Sequence, residues 1–103
     1  MLNSKQRADL RAMANSIETI VHIGKGGITE NVITQVSGAL NTRELIKGRV
    51  LESAGLTARE AADALCDECS ADTVQVIGSR FVLYKENRKI DKDKRISAKL
   101  STT

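Results

Sequence analysis

The 103-residue chain reads as an α/β protein of the two-layer α+β kind, with elements in the order α-β-α-β-α-β-β around one four-stranded mixed sheet. Three observations predict this. Segments with apolar residues at helical spacing alternate with short β-branched runs. Two strand–helix–strand units imply parallel strand pairs, because such a crossover returns the chain in its original direction. The last two apolar runs are separated only by Gly78-Ser79, which implies a two-residue hairpin turn of type II′.

Residues 4–15 form the first helix, with Ser4 as N-cap. Leu10, Met13, Ala14 and Ile17 recur at helical spacing, Ile17 continuing the stripe just past the helix end. The opposite face carries Lys5, Arg7 and Arg11. Thr19 to Ile23 is a short buried strand, followed by the strongest break in the chain, Gly24-Lys25-Gly26-Gly27. A second helix spans about 29–41 on Val32, Val36, Ala39 and Leu40, closed by Asn41 and Thr42. Glu44 to Leu51 is the second strand, and its interior Gly48 marks a bulge or the close approach of another backbone. After a turn at Ala54-Gly55, Thr57 and Glu60 form a capping box that opens the third helix. That helix has Ala58, Ala61, Ala62, Leu65, Cys66 and Cys69 on one face and Glu60, Asp63, Asp67 and Glu68 on the other. The hairpin over 73–84 pairs Ile77 with Arg80, Val76 with Phe81 and Val74 with Leu83. Val74, Val76, Phe81 and Leu83 then share the core face, under the second and third helices. Gln75, Ile77, Arg80, Val82 and Tyr84 share the other, partly covered by the first helix.

Composition narrows the function. Apolar residues make up 41% of the chain and charged residues 28%, an ordinary globular balance that argues against global disorder. One Phe, one Tyr and no Trp leave an aliphatic core and exclude the aromatic base-stacking platforms of RRM or OB-fold sheets. No apolar run is long enough to cross a membrane, and residues 1–14 lack an apolar leader segment, so a cytoplasmic location and no membrane partner are expected. The net charge of +3 is unevenly placed: residues 1–84 sum to −1 and residues 85–103 to +4. The chain is expected to divide into one domain over 1–86 and a basic tail over 87–103, mobile or short-helical, with Ile90, Ile96 and Leu100 scattered in it. A basic tail on a near-neutral domain suits a polyanion; a solvated terminus is the plainer alternative.

The Gly24–Gly27 loop lies between a strand and a helix, so its backbone amides and the helix N-terminus can address one anion, with Lys25 at the tip. The dinucleotide fingerprint fails, because Thr29 stands at its last Gly position, and the Walker A pattern is absent. What remains is G-x-x-G, the loop with which KH-like modules clamp nucleotide backbones. A glycine turn without a ligand is the alternative. Cys66-Asp67-Glu68-Cys69 has redox spacing, but it sits at the C-terminal end of a helix among carboxylates, where a thiolate is disfavoured and a packing role fits better. His22 lacks a neighbouring acid or thiol, so a packing or edge role is expected. No catalytic set, metal site or cofactor motif can be assembled, and an enzyme is not expected.

In order along residues 2–88, the motifs resemble those of the CRM domain family (chloroplast RNA splicing and ribosome maturation). Ser4-Lys5-Gln6-Arg7, Leu10-Arg11 and Ala14 resemble its N-terminal signature, and Val21 to Thr29 its strand–GxxG–helix segment. Glu44 to Lys47, Val74 to Gly78 and Leu83 to Lys85 resemble its later blocks. The single-domain length is similar to that of the bacterial stand-alone, YhbY-type members. The chain departs from the pattern at Glu18-Thr19, where a Pro is usual, and at Gly48, where a β-branched residue is. The resemblance implies a fold similar to the C-terminal domain of translation initiation factor three. It implies RNA as partner, specifically ribosomal RNA of large-subunit precursors, and a role in ribosome assembly. It carries the RNA-binding role onto Gly24, Lys25, Gly26 and Gly27, with basic support from Lys5, Arg7, Arg11 and Lys47. The tail, beginning with Lys85 and Arg88, adds further positive charge. A monomer is expected. Docking on a ribosomal protein through the acidic third helix is the rival reading.

Overall fold

The computed structural model describes residues 2–91, 93 and 95–100. Helix α1 (Ser4–Ala14) starts where sequence places it, but its cap is Asn3 rather than Ser4. Asn3 Oδ1 accepts the Gln6 N–H at 2.8 Å and Gln6 Oε1 accepts the Asn3 N–H at 3.2 Å, a capping box built from two amides. Strand β1 (Thr19–Ile23) leads through the glycine loop to α2 (Glu30–Arg43). This helix runs past Asn41 and Thr42, because the Thr42 hydroxyl bonds back to the Ala39 carbonyl at 3.1 Å instead of breaking the helix. It ends at Glu44, which takes φ +63° and donates its N–H to the Leu40 carbonyl. Glu44 is therefore a helix cap, not the first residue of the strand. Strand β2 (Leu45–Val50), a 3-10 turn at Glu52–Ala54 and α3 (Ala58–Cys69) follow. The Thr57–Glu60 capping box forms in both directions, at 3.1 and 2.9 Å. Strands β3 (Asp72–Ile77) and β4 (Arg80–Tyr84) make the hairpin. Gly78 takes φ +57° and Ser79 does not have a positive φ, as the type II′ turn requires.

The sheet is four-stranded and mixed, in the order β1-β2-β4-β3. Only β1 and β2 pair in parallel. The expected second parallel pair is absent, because β4 folds between β2 and β3 and bonds antiparallel to both. The hairpin holds a second correction. Ile77 faces Arg80 and Val76 faces Phe81 as expected, but the register slips between Thr73 and Gln75, so Leu83 stands beside Thr73 rather than Val74. The bulge puts Val74 on the same side as Gln75. Val74 accordingly packs with Leu10, Leu45, Val82 and Tyr84, under α1.

On the opposite face, α2 and α3 cover Val21, Ile23, Ile46, Phe81 and Leu83 with Val36, Leu40, Ala61, Ala62 and Leu65. Gly48 belongs to this face. Its register with β4 is regular, but the pairing with β1 slips between Thr19 and Val21, opposite Lys47 and Gly48, so the expected irregularity does lie beside it. The missing side chain itself makes room for Phe81, since a Cβ there would stand 2.3 to 2.8 Å from three carbons of the ring. The tip of the chain's one Phe ring occupies the space that a side chain at position 48 would take. Beyond Lys85 the chain returns toward α1, and a 3-10 turn at Ile96–Lys99 sets Ile96 and Leu100 against the smaller cluster.

Candidate nucleic-acid interface

Strand β1 delivers the chain to Gly24 at the end of the sheet where β2 also finishes, Ile23 standing beside Val50. The next residues close a turn in which the Gly27 N–H donates to the Gly24 carbonyl at 3.0 Å. Gly26 takes φ +99° and Gly27 φ +65°. A positive φ at the third position is the type II pattern, and sterics favour glycine there. Lys25 and Gly26 are exposed at the tip while Gly27 is buried. The turn leans on the β2–α3 connection: a Cβ on Gly27 would stand 3.2 Å from Leu56 Cδ2. Thr29 then caps α2, its Oγ1 accepting the Val32 N–H at 3.2 Å. Other first-turn amides of this 14-residue helix lack intrahelical partners and carry its positive end, part of which Glu30 already complements. A braced turn, one mobile cation and a helix N-terminus thus follow each other within a few residues, an arrangement able to hold a phosphate.

The other predicted residues do not gather at the loop. Lys5 is exposed and Arg11 half-buried on α1. Arg7 anchors that helix, its Nη1 donating to the Thr73 carbonyl in β3. Lys47 is half-buried on the α1 side of the sheet, lining a cleft with Asn15 and Arg80. Lys85 and Arg88 follow the end of β4, where Tyr84 stands beside Leu45 at the start of β2. Five strand steps separate that end from the loop, about 17 Å. The Lys85 N–H bonds to the Glu44 carbonyl at 2.8 Å. Arg88 pairs with Glu86 at 2.9 Å, and this bond is the main cause that raises its pKa. The predicted set therefore divides between the two ends of the sheet.

Periodicity alone leaves Arg49 and Arg80 as solvated surface charges and His22 as a packing or edge residue. The register brings them into one row on the face that α1 only half covers. The missing signal was the pairing of β2 with β4, which no local pattern encodes. The two cysteines stay with the core. Cys69 is buried, and Cys66 Sγ lies 3.1 Å from Thr73 Oγ1. Burial raises both thiols above their ordinary range; Asp72, Asp63 and Asp67 add to this at Cys66 and Glu68 at Cys69, while the Thr73 bond and Lys85 oppose it. His22 is exposed on the edge strand β1. Among the described residues no three His, Cys, Asp or Glu side chains converge as metal ligands would, and no helix is long and apolar enough to cross a membrane.

Residues 2–85 match the family model of the CRS1 / YhbY (CRM) domain. The chain belongs to this family. The CRM domain found here is 41% identical over 88 residues to the Bacillus subtilis protein named "probable RNA-binding protein YqeI", covering 85% of this chain and 92% of that one. A Haemophilus influenzae protein named "RNA-binding protein" is 36% identical over 84 residues, covering 82% and 85%. The solution structure of the hypothetical protein SAV1595 from Staphylococcus aureus superposes with a TM-score of 0.71 at 40% identity, covering 89% of this chain and 96% of that one. The CRM fold expected from the motifs is thus the fold of a relative solved independently.

Proposed function

We propose that this CRM domain is a non-catalytic RNA-binding factor of ribosome assembly, acting in the cytoplasm on ribosomal RNA of large-subunit precursors. The observation that carries the reading is the turn at Gly24–Gly27. Exposed Gly26, in a left-handed conformation, lets a phosphate backbone approach without a Cβ in the way, beside Lys25 and ahead of the α2 N-terminus, while buried Gly27 braces the turn. Relatives named as RNA-binding proteins, similar over most of their length, support it. With one Phe and one Tyr, both buried, recognition leans on the phosphate backbone and on RNA shape rather than on stacked bases.

Lys25→Ala tests the loop. Lys25 is an exposed turn residue, so the melting temperature stays within about 2 °C of wild type while affinity for a large-subunit ribosomal RNA fragment falls about tenfold. The slope of log affinity against log salt becomes shallower by slightly less than one. Unchanged affinity and slope would overturn the loop as the contact. The assembly role is read by gradient sedimentation of lysate. Co-sedimentation with large-subunit precursors at low salt, lost at high salt, is expected; signal only at the top of the gradient would overturn that role.

A further inference from the structure

The register aligns four side chains across the whole sheet. His22 stands beside Arg49, Arg49 beside Arg80, and Arg80 beside Ile77. All four are exposed, Ile77 to 63%. The neighbours of each in its strand show which way the row faces. Val21, Ile23, Val50, Phe81 and Val76 pack under α2 and α3, so the row looks out on the α1 side. Helix α1 reaches only part of it: the end of the helix shares a shallow cleft with Lys47, Ile77, Arg80 and Val82, while Arg49 and His22 do not line that cleft.

Like charges directly opposite on adjacent strands destabilise a sheet. Arg49 and Arg80 occupy such a pair, and among the described residues neither has an ion pair. The adjoining row of Lys47, Val82 and Gln75 adds a third cation and no carboxylate. Folding alone therefore gains nothing from this arrangement, whereas an anion laid across the strands would. Four strands span about 14 Å, room for two or three consecutive phosphates. The row starts at His22, two residues before Gly24, so it continues directly from the glycine loop.

We propose that the row His22–Arg49–Arg80–Ile77 is a second RNA contact, a track along which the strand held at the Gly24–Gly27 loop crosses the open sheet face. It rests on the RNA-binding reading above. The two guanidinium forks take consecutive phosphate oxygens. His22 adds a hydrogen bond at the loop end, and Ile77 offers an apolar surface to a ribose or base on a sheet whose Phe81 and Tyr84 are both buried.

The test is fluorescence anisotropy with a labelled single-stranded oligouridylate of about a dozen nucleotides, over a salt series. Arg49→Gln/Arg80→Gln is compared with wild type, with Lys25→Ala, and with Arg43→Gln/Arg59→Gln, which removes the same charge from exposed helical positions outside the row, the loop and the tail. Thermal melts confirm that each variant folds; the row variant is expected to melt no lower than wild type, because a like-charge pair is removed. The expected result is at least a tenfold loss of affinity for the row variant and a salt slope shallower by about 1.4, two phosphates at about 0.7 each, with the Arg43/Arg59 control near wild type. A row variant with wild-type affinity and slope, while Lys25→Ala binds weakly, would overturn the track and leave the loop contact standing; this is also the result if the row docks a protein. An equal loss in the control would reduce the effect to net charge and overturn the track. Failure of wild type to bind this probe or a ribosomal RNA fragment would overturn both readings.

Discussion

The two faces of the sheet are covered unequally. Under α2 and α3 lies a cluster of 13 buried residues, aliphatic but for Cys69 and Phe81. Under α1 lie six, and the helix leaves Arg49, Arg80 and Ile77 in solvent. The closed face is built of apolar side chains packed against one another. The half-open face carries the polar anchors: Arg7 on the Thr73 carbonyl, Lys47 beside Asn15, and buried Glu44 at its far end. Stability is concentrated in one layer, and the surface free to meet a partner in the other. Such a division lets the recognition face vary without unmaking the fold.

Gly48→Ala breaks the closed face most severely. The new Cβ would stand 2.3 Å from Phe81 Cζ, and Phe81 is buried on every side. A core ring that cannot move aside forces strand and helix apart, which costs about 3 kcal/mol. A fall in melting temperature of about 15 °C is expected for a domain of this size. Adding Phe81→Leu, which withdraws the ring, recovers part of the loss. A single variant that melts like wild type would show that the face is less tightly closed than the geometry states.

Glu44→Ala breaks the far end of the other face. Its carboxylate is fully buried, with Oε2 accepting the Asn87 N–H at 2.7 Å and Oε1 the Ser97 N–H at 2.9 Å. One acid thus ties the end of α2 to the start of the tail and to its 3-10 turn. Removing it leaves two donors unpaired, for about 2 kcal/mol. Amide exchange at Asn87 and Ser97 is expected to accelerate well beyond the increase at Ile46 or Leu83 in the sheet. Uniform acceleration throughout would mean that Glu44 supports the whole fold rather than this corner.

These two residues also show what was legible in the sequence. The elements and their order were, because period and capping chemistry are local: Thr57 and Glu60 formed the predicted box, and Gly78-Ser79 the predicted turn. The place of the glycine loop between strand and helix was legible for the same reason. What was not local was missed. Glu44 reads as a strand residue, because its acceptors' partners lie 43 and 53 residues away. Gly48 shows a weak strand position but not the ring that requires it. Val74 sits in an alternating pattern, and only the pairing reveals the bulge that turns it to α1. Arg49 and Arg80 became neighbours only when β4 was placed between β2 and β3. The predicted RNA-contact set was scattered for that reason: charge was read along the chain, and the sheet order decides where charges meet.

The smallest effect sharpens the comparison by asking how well the tail end of the half-open face is sealed. Tyr84, the only tyrosine, lies buried in the smaller cluster, with its pKa pushed up from 10 to about 12. Burial is the main cause; the Glu44 and Glu86 carboxylates add to it, the nearby Ser97 side chain opposes it, and Asp72 contributes last. Because the folded pKa lies above the unfolded one, the unfolded chain releases its proton first as pH rises past 10. The unfolded state then binds fewer protons, so stability is full below pH 10 and declines between pH 10 and about 12, by on the order of 1 to 2 kcal/mol. Lysines titrate in the same range, so Tyr84→Phe is the reference: the wild type's urea midpoint falls relative to that variant's between pH 9 and pH 12. Phenolate absorbance, from this one residue, titrates near 12 in the folded protein and near 10 in urea. A folded midpoint near 10 would mean that water reaches the phenol and that this end is open. In Glu44→Ala the folded midpoint moves down toward 10, since the variant removes a nearby carboxylate and loosens the tail that covers the ring.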